Sequence, residues 1–257
     1  MGHRTASKAA ATGLLLLSSL VPSAHAAETA EDVYRLPCTE PDLSAEPGHL
    51  TKEAERTRLI DPAHLVAINL GPLKFRIPWA YFYPRPFSTH LNCNPNRKSV
   101  SIQFWIPDLK APERDLWGKP EFHPSETDRP HPGPYESVIV VTGIQYYGPG
   151  YPLKESSAEQ RIEKLLRLYR NDGLNLINQG GLMKMRTKYT TEEDGQYYFR
   201  SKTDSLFLWC MPKYCQAYLD LRDLNLTAQF TIRREVFRSY LQASQGIRTL
   251  LARWNAE

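Results

Sequence analysis

The chain has no second apolar run that approaches 18 residues after its first 26, so beyond that point it holds no transmembrane helix. It has no excess of one charge. Lys and Arg number 32 and Asp and Glu 28. No basic stripe marks it for nucleic acid or an anionic membrane. The catalytic signatures that can be read from spacing are also missing. There is no G-x-S-x-G elbow, no H-E-x-x-H, no phosphate-binding G-x-x-x-x-G-K-[ST] loop, and no G-x-G-x-x-G after a strand. No histidine is followed two residues later by lysine. Cysteine is scarce, with four in 257 residues.

What the chain does have begins at its first residue. Met1 to Ala26 runs from a basic start (His3, Arg4, Lys8) through the apolar block Gly13–Val21 to Ala24-His25-Ala26. This is the order of a secretory signal peptide, with small residues where a signal peptidase needs them. Cleavage is expected after Ala26. Residues 27–257 then form a single exported domain that works outside the cytosol. Arg4 and Lys8 are the only formal charges in the leader, so the remainder carries a net charge near zero, about +2.

In an oxidising compartment an even number of cysteines points to disulfides. Cys38, Cys93, Cys210 and Cys215 allow three pairings on paper. Cys38–Cys93 with Cys210–Cys215 is preferred, because Pro212 makes a turn between the last two and brings them within bridging range. C-x4-C without a second pair or a nearby histidine is poor zinc spacing. No metal or cofactor is expected.

Apolar content of 41% with 14 Tyr, 9 Phe and 5 Trp is enough for a core, and 20 Pro favour a loop-rich, strand-based fold. Residues 27–62, with Pro37, Pro41, Pro47 and Pro62, read as an extended N-terminal arm with a helical turn near Thr51–Arg58. His64–Leu70 and Leu73–Pro78 read as a hairpin across Gly71-Pro72. Lys98–Ile106 is the clearest strand, with Val100, Ile102, Phe104 and Ile106 on one face and Ser101, Gln103 and Trp105 on the other. Ser137–Tyr147 is a strand with an irregularity at Gly143. Leu182–Tyr189, Gln196–Arg200, Ser205–Cys210 and Leu226–Ile232 complete the strands.

Two helices are signalled. Ser156 with Glu159 forms a capping-box pattern ahead of the stripe Ile162, Leu165, Leu166, Tyr169, which Asn171-Asp172-Gly173 ends. The second, from about Arg234 to Trp254, places Phe237, Tyr240, Leu241, Ile247, Leu250, Leu251 and Trp254 on one face, with Gly246 weakening it locally. Alternating strands with two amphipathic helices imply an α+β fold, mainly antiparallel sheet, loop-rich and disulfide-tied.

Candidate chemistry is thin. His123 and His131, with Glu121, Glu126 and Asp128, lie in a segment from Pro107 to Pro134 that holds seven prolines. They could form a metal or acid/base cluster, but a solvated polar loop is the simpler reading. Trp79, Tyr81, Phe82 and Tyr83, and Gln145-Tyr146-Tyr147, could line a sugar-stacking cleft, although aromatics in strands more often pack. His64, at the start of a strand, reads as structural. Long varied loops on a tied scaffold favour a binder over an enzyme.

The order of motifs carries a resemblance. Leu73–Phe82 resembles an f-x-IP-x-x-Yf element, and Ser99–Leu109 resembles the strand ending in Pro-Asp-Leu that follows it. The tail, Leu208-Trp209-Cys210 to Cys215, then a strand and a helix with Phe237, Leu241, Ile247 and Leu251, completes the pattern. Together these resemble periplasmic immunity proteins of bacterial type VI secretion systems, in the group that neutralises phospholipase D-type lipase effectors. The resemblance implies a non-catalytic inhibitor whose partner is a cognate lipase effector, with no nucleic acid and no stable membrane insertion. A phosphate-binding cleft on such a toxin is electropositive, and acidic loops would complement it. Two surfaces qualify: Glu113, Asp115, Glu121, Glu126 and Asp128 with Trp117 and Phe122 in the Pro-rich segment, and the hairpin tip Glu192, Glu193, Asp194. The competing class is a periplasmic hydrolase or carbohydrate-binding protein that uses an aromatic-lined cleft.

Overall fold

The computed structural model describes residues 29–39, 52, 55–112, 136–148, 157–187, 195–200 and 204–256. In chain order the elements are α1 (Ala30–Tyr34), β1 (Leu65–Leu70), β2 (Leu73–Pro78), β3 (Val100–Ile106), β4 (Ser137–Tyr146), α2 (Ala158–Leu168), β5 (Asn175–Gln179), β6 (Leu182–Arg186), β7 (Gln196–Arg200), β8 (Asp204–Cys210), β9 (Tyr214–Leu221), β10 (Leu226–Arg233) and α3 (Tyr240–Trp254). β1 and β2 form a separate hairpin. The other eight strands form one sheet in the order β3-β4-β10-β9-β8-β7-β6-β5. Every pairing is antiparallel. The fold is α+β. The chain leaves β4, crosses the sheet through α2 to the far edge, and meanders back from β5 to β10 beside β4.

Alternation along the strands sets which face is which. Ile102, Phe104, Ile139, Val141, Leu206, Leu208, Ala217, Leu219, Ala228 and Phe230 point to one face, all almost wholly buried. The β1–β2 hairpin and α3 cover that face and complete one large core. The opposite face holds two smaller clusters. Under α2 lie Met185, Phe199, Phe207 and Tyr218. At the β3–β4 end Trp105, Val138 and Val140 pack with Tyr83. The second face of β3 is thus buried too, and Gln103 within it donates to the Phe82 carbonyl at 3.2 Å.

Several expectations shift on contact with the fold. The irregularity near Gly143 is a bulge: Gln229 pairs with Gly143 and Phe230 with Val141, so Thr142 is the extra residue. The N-terminal arm is not wholly extended. Thr29 and Asp32 make a reciprocal capping box at α1, and Val33 is fully buried. Residues 40–51 of that arm lie outside the described residues. The C-terminal α-helix begins at Tyr240 rather than Arg234, because Val236 breaks the turn at φ −99°, ψ 19°. Its buried face is Tyr240, Ala243, Ile247, Leu250, Leu251 and Trp254. Leu241 lies one residue, about 100°, off that stripe and is exposed. Cys38 pairs with Cys93 and Cys210 with Cys215.

Candidate functional site

The position of α2 is fixed from below. Ser157, not Ser156, is the N-cap, and its Oγ accepts from the Gln160 N–H. The reason lies on β9. The buried Asp220 carboxylate accepts from Ser157 Oγ at 2.9 Å, from the Ala158 N–H at 3.0 Å and from the Glu159 N–H at 3.0 Å. A carboxylate at a helix start meets both the orphan N–H groups and the positive end of the dipole. Arg222 then joins Glu159 at 2.7 Å and Ser205 at 2.9 Å, tying the first turn to β8.

With one end pinned, the rest of the helix stands over the sheet and leaves a groove of about 280 Å³. Its helical wall is Arg161, Lys164, Leu165 and Leu168, spaced so that they share one face. Its floor is two rows of cross-strand neighbours. Tyr197, Trp209 and Gln216 stand opposite one another on β7, β8 and β9, as do Phe207 and Tyr218 on β8 and β9. Tyr197 and Phe207 stack at 6.1 Å between centroids. Burial raises the Tyr197 phenol above its ordinary range, so it stays neutral. The Arg161 guanidinium lies 3.8 Å from the centre of the Tyr218 ring, a cation–π contact. Trp209 is 36% exposed and Leu168 62% exposed, so the groove opens to solvent along its apolar edge.

Two cations stand at this rim with no acid to match them. Among the described residues no carboxylate pairs with Arg161 or Lys164, whereas Arg222 and Arg233 each hold one and Arg248 holds two. Arg161 Nε is buried and has no hydrogen-bond partner among the described residues.

The groove is not where the sequence pointed. Glu113, Asp115, Trp117, Glu121, Phe122, Glu126 and Asp128, the histidines 123 and 131, and Glu192, Glu193 and Asp194 all lie outside the described residues. The aromatic run at 79–83 packs rather than lining a cleft. Trp79 and Phe82 are buried, Trp79 Nε1 donates to the Pro86 carbonyl at 2.9 Å, and Tyr81 meets Trp254 edge-on at 4.8 Å. His64 stacks on Tyr34 at 4.6 Å. Among the described residues no group of three His, Cys, Asp or Glu is placed to hold a metal ion, and no helix is long and apolar enough to cross a membrane. The one sequence signal for the groove was the outward phase of Phe207 and Trp209, between the inward Leu206, Leu208 and Cys210. Two apolar faces on one strand mean that something sits on each.

No family model matches the chain, and no curated protein matches it. Among solved structures, an immunity protein of the Stenotrophomonas maltophilia type IV secretion system is similar at 14% identity. The TM-score is 0.49, covering 76% of this chain and 94% of that one. A likeness of that size is too slight to carry an argument about fold or function.

Proposed function

We propose that this protein is an exported immunity protein, a stoichiometric inhibitor that binds and occludes a secretion-system effector. In its finer form, the effector is a phospholipase D-type lipase delivered by a type VI system, met in the periplasm. One observation carries the reading. The three motifs of the resemblance, far apart in sequence, interlock around a single residue. Tyr81, from the first motif, donates its hydroxyl to the Leu109 carbonyl at 2.9 Å. Leu109, from the Pro-Asp-Leu turn, is held at φ 60° by its N–H to the Trp105 carbonyl. The tail helix closes over both, with Trp254 against Tyr81 and Gly246 backed onto Leu109. Motifs that share one packing node form one scaffold, and a rigid scaffold presenting surfaces to a partner needs no reactive centre. Two disulfides suit an oxidising compartment.

The acidic surfaces at 113–128 and 192–194 belong to this proposal as steering elements. Reversing Glu192, Glu193 and Asp194 to lysine slows association with an electropositive toxin by about 10-fold at low salt and leaves dissociation nearly unchanged. Stopped-flow association rates check it. The deciding test is periplasmic co-expression with a phospholipase D-type lipase effector of a type VI system. Growth rescue together with a co-purifying complex is the expected result. Rescue without any complex, or turnover of lipid or sugar by the purified protein, overturns the reading.

A further inference from the structure

We infer that the groove between α2 and strands β7–β9 docks a protein segment in which a carboxylate stands beside a large apolar side chain, and that this segment belongs to the effector. The inference rests on the immunity reading and adds the partner's local chemistry. Three features of the groove fix that chemistry. Its floor is aromatic and rigid, since Tyr197, Phe207, Trp209 and Tyr218 sit on paired strands and are held in register. An exposed Trp209 beside a half-buried Tyr197 supplies the residue types that dominate protein interfaces when a partner side chain fills the space between them. Its volume of about 280 Å³ is at the small end of ligand-binding clefts. It suits one inserted side chain rather than a two-chain lipid. Its rim carries Arg161 and Lys164 on one helix face, where two like charges repel. No acid among the described residues relieves them, although the protein pairs Arg222, Arg233 and Arg248. An incoming carboxylate supplies the missing charge, and Arg161 is already braced against the Tyr218 ring.

The test uses the full mature chain with Lys164→Glu and Trp209→Ala. Lys164 is exposed at the groove rim, so its replacement leaves the fold intact, and circular dichroism confirms this for both variants. The probe is a fluorescent hexapeptide alternating glutamate with leucine and phenylalanine. A matched peptide with lysine for glutamate and vesicles of phosphatidylglycerol serve as controls. The expected result is binding of the acidic peptide alone, weakened about 10-fold or more by each variant, with the salt dependence lost in Lys164→Glu. The same variants weaken the effector complex by a similar factor. Failure of the wild type to bind the acidic peptide overturns the inference, as does binding of the vesicles in its place. An effector complex that forms with undiminished affinity in both variants overturns the groove while leaving the immunity reading standing. Lys164-dependent peptide binding without any effector complex removes the immunity reading instead.

Discussion

Asp220 occupies the middle of the sheet and serves as the cap of a helix 62 residues earlier in the chain. It is 2% exposed, yet all three of its described partners are donors from one helix start. Asp220→Ala strands two helix N–H groups and the Ser157 hydroxyl in a buried site. The expected cost is about 3 kcal/mol, since each unsatisfied buried group costs about 1–3 kcal/mol. Ser157→Ala removes the local cap and one of the three donors to Asp220, leaves the two helix N–H groups paired with the carboxylate, and costs about 1–2 kcal/mol. Urea unfolding of the two variants checks the ratio. If the losses are equal, the carboxylate is not the anchor.

A second residue carries a pH signature. Asp223 takes a two-point contact from Arg248, at 2.6 and 3.0 Å, and that hydrogen bonding holds its carboxyl below the usual carboxylate value. A carboxylate whose folded pKa is depressed stabilises the fold above its unfolded pKa of about 3.9, and loses that contribution as pH falls toward the folded value. Arg248→Gln should therefore flatten the loss of stability below about pH 4 relative to wild type. Urea midpoints between pH 2.5 and 6 give the slope. Parallel acid limbs would place the pH dependence elsewhere.

At the scale of elements, Gly246 looks in sequence like a flaw in an otherwise good helix. In the structure it lets α3 come close to Phe104 of the sheet and to Leu109. A Cβ there would lie 2.8 Å from the ring of Phe104 and 2.7 Å from Leu109. Phe104 is fully buried and cannot give way. Gly246→Ala should gain about 1 kcal/mol of helix propensity and lose more than that to overpacking, for a net destabilisation of about 1 kcal/mol. A lowered Tm with unchanged helix content is the expected readout. A raised Tm would show that the helix slides to make room.

Other elements show how far patterning reaches. β3 and the β1–β2 hairpin were legible, because alternation and Gly71-Pro72 are local signals. β5 was not. Asn175-Leu176-Ile177-Asn178-Gln179 is a mostly exposed edge strand with little alternation to detect. Its hairpin does have a local mark, Gly180-Gly181 at φ 62° and 87°, the two left-handed positions of a tight turn. The helix cap was read one residue early because Asp220 decides it, and no local pattern reports a carboxylate so distant in sequence. The groove was hidden for the same reason. Arg161 and Lys164 look like ordinary helix-surface charges until strand register sets Tyr197 opposite Trp209 beneath them.

For the whole molecule the disulfides decide where the fold can persist. Cys38–Cys93 closes a sequence separation of 55 residues, and Cys210–Cys215 one of 5. By chain entropy these stabilise by about 4 and 2 kcal/mol. The first holds the N-terminal segment against residues 89–93, where the Asn92 amide also donates to the carbonyls of Tyr34 and Leu36. The second joins residues already opposite in the β8–β9 register. A domain of this kind has about 5–15 kcal/mol of stability in total. Losing both bonds removes about 6 kcal/mol, which takes a chain at the lower end of that range to its threshold. The prediction is asymmetric. Replacing Cys38 and Cys93 with serine lowers the urea midpoint about twice as far as replacing Cys210 and Cys215, and only the first pair abolishes protection in the periplasmic assay at 37 °C. Reduction of the native protein should reproduce the sum of the two. A midpoint indifferent to reductant would mean that the packed sheet alone sustains the fold, and the bonds would no longer argue for an oxidising compartment.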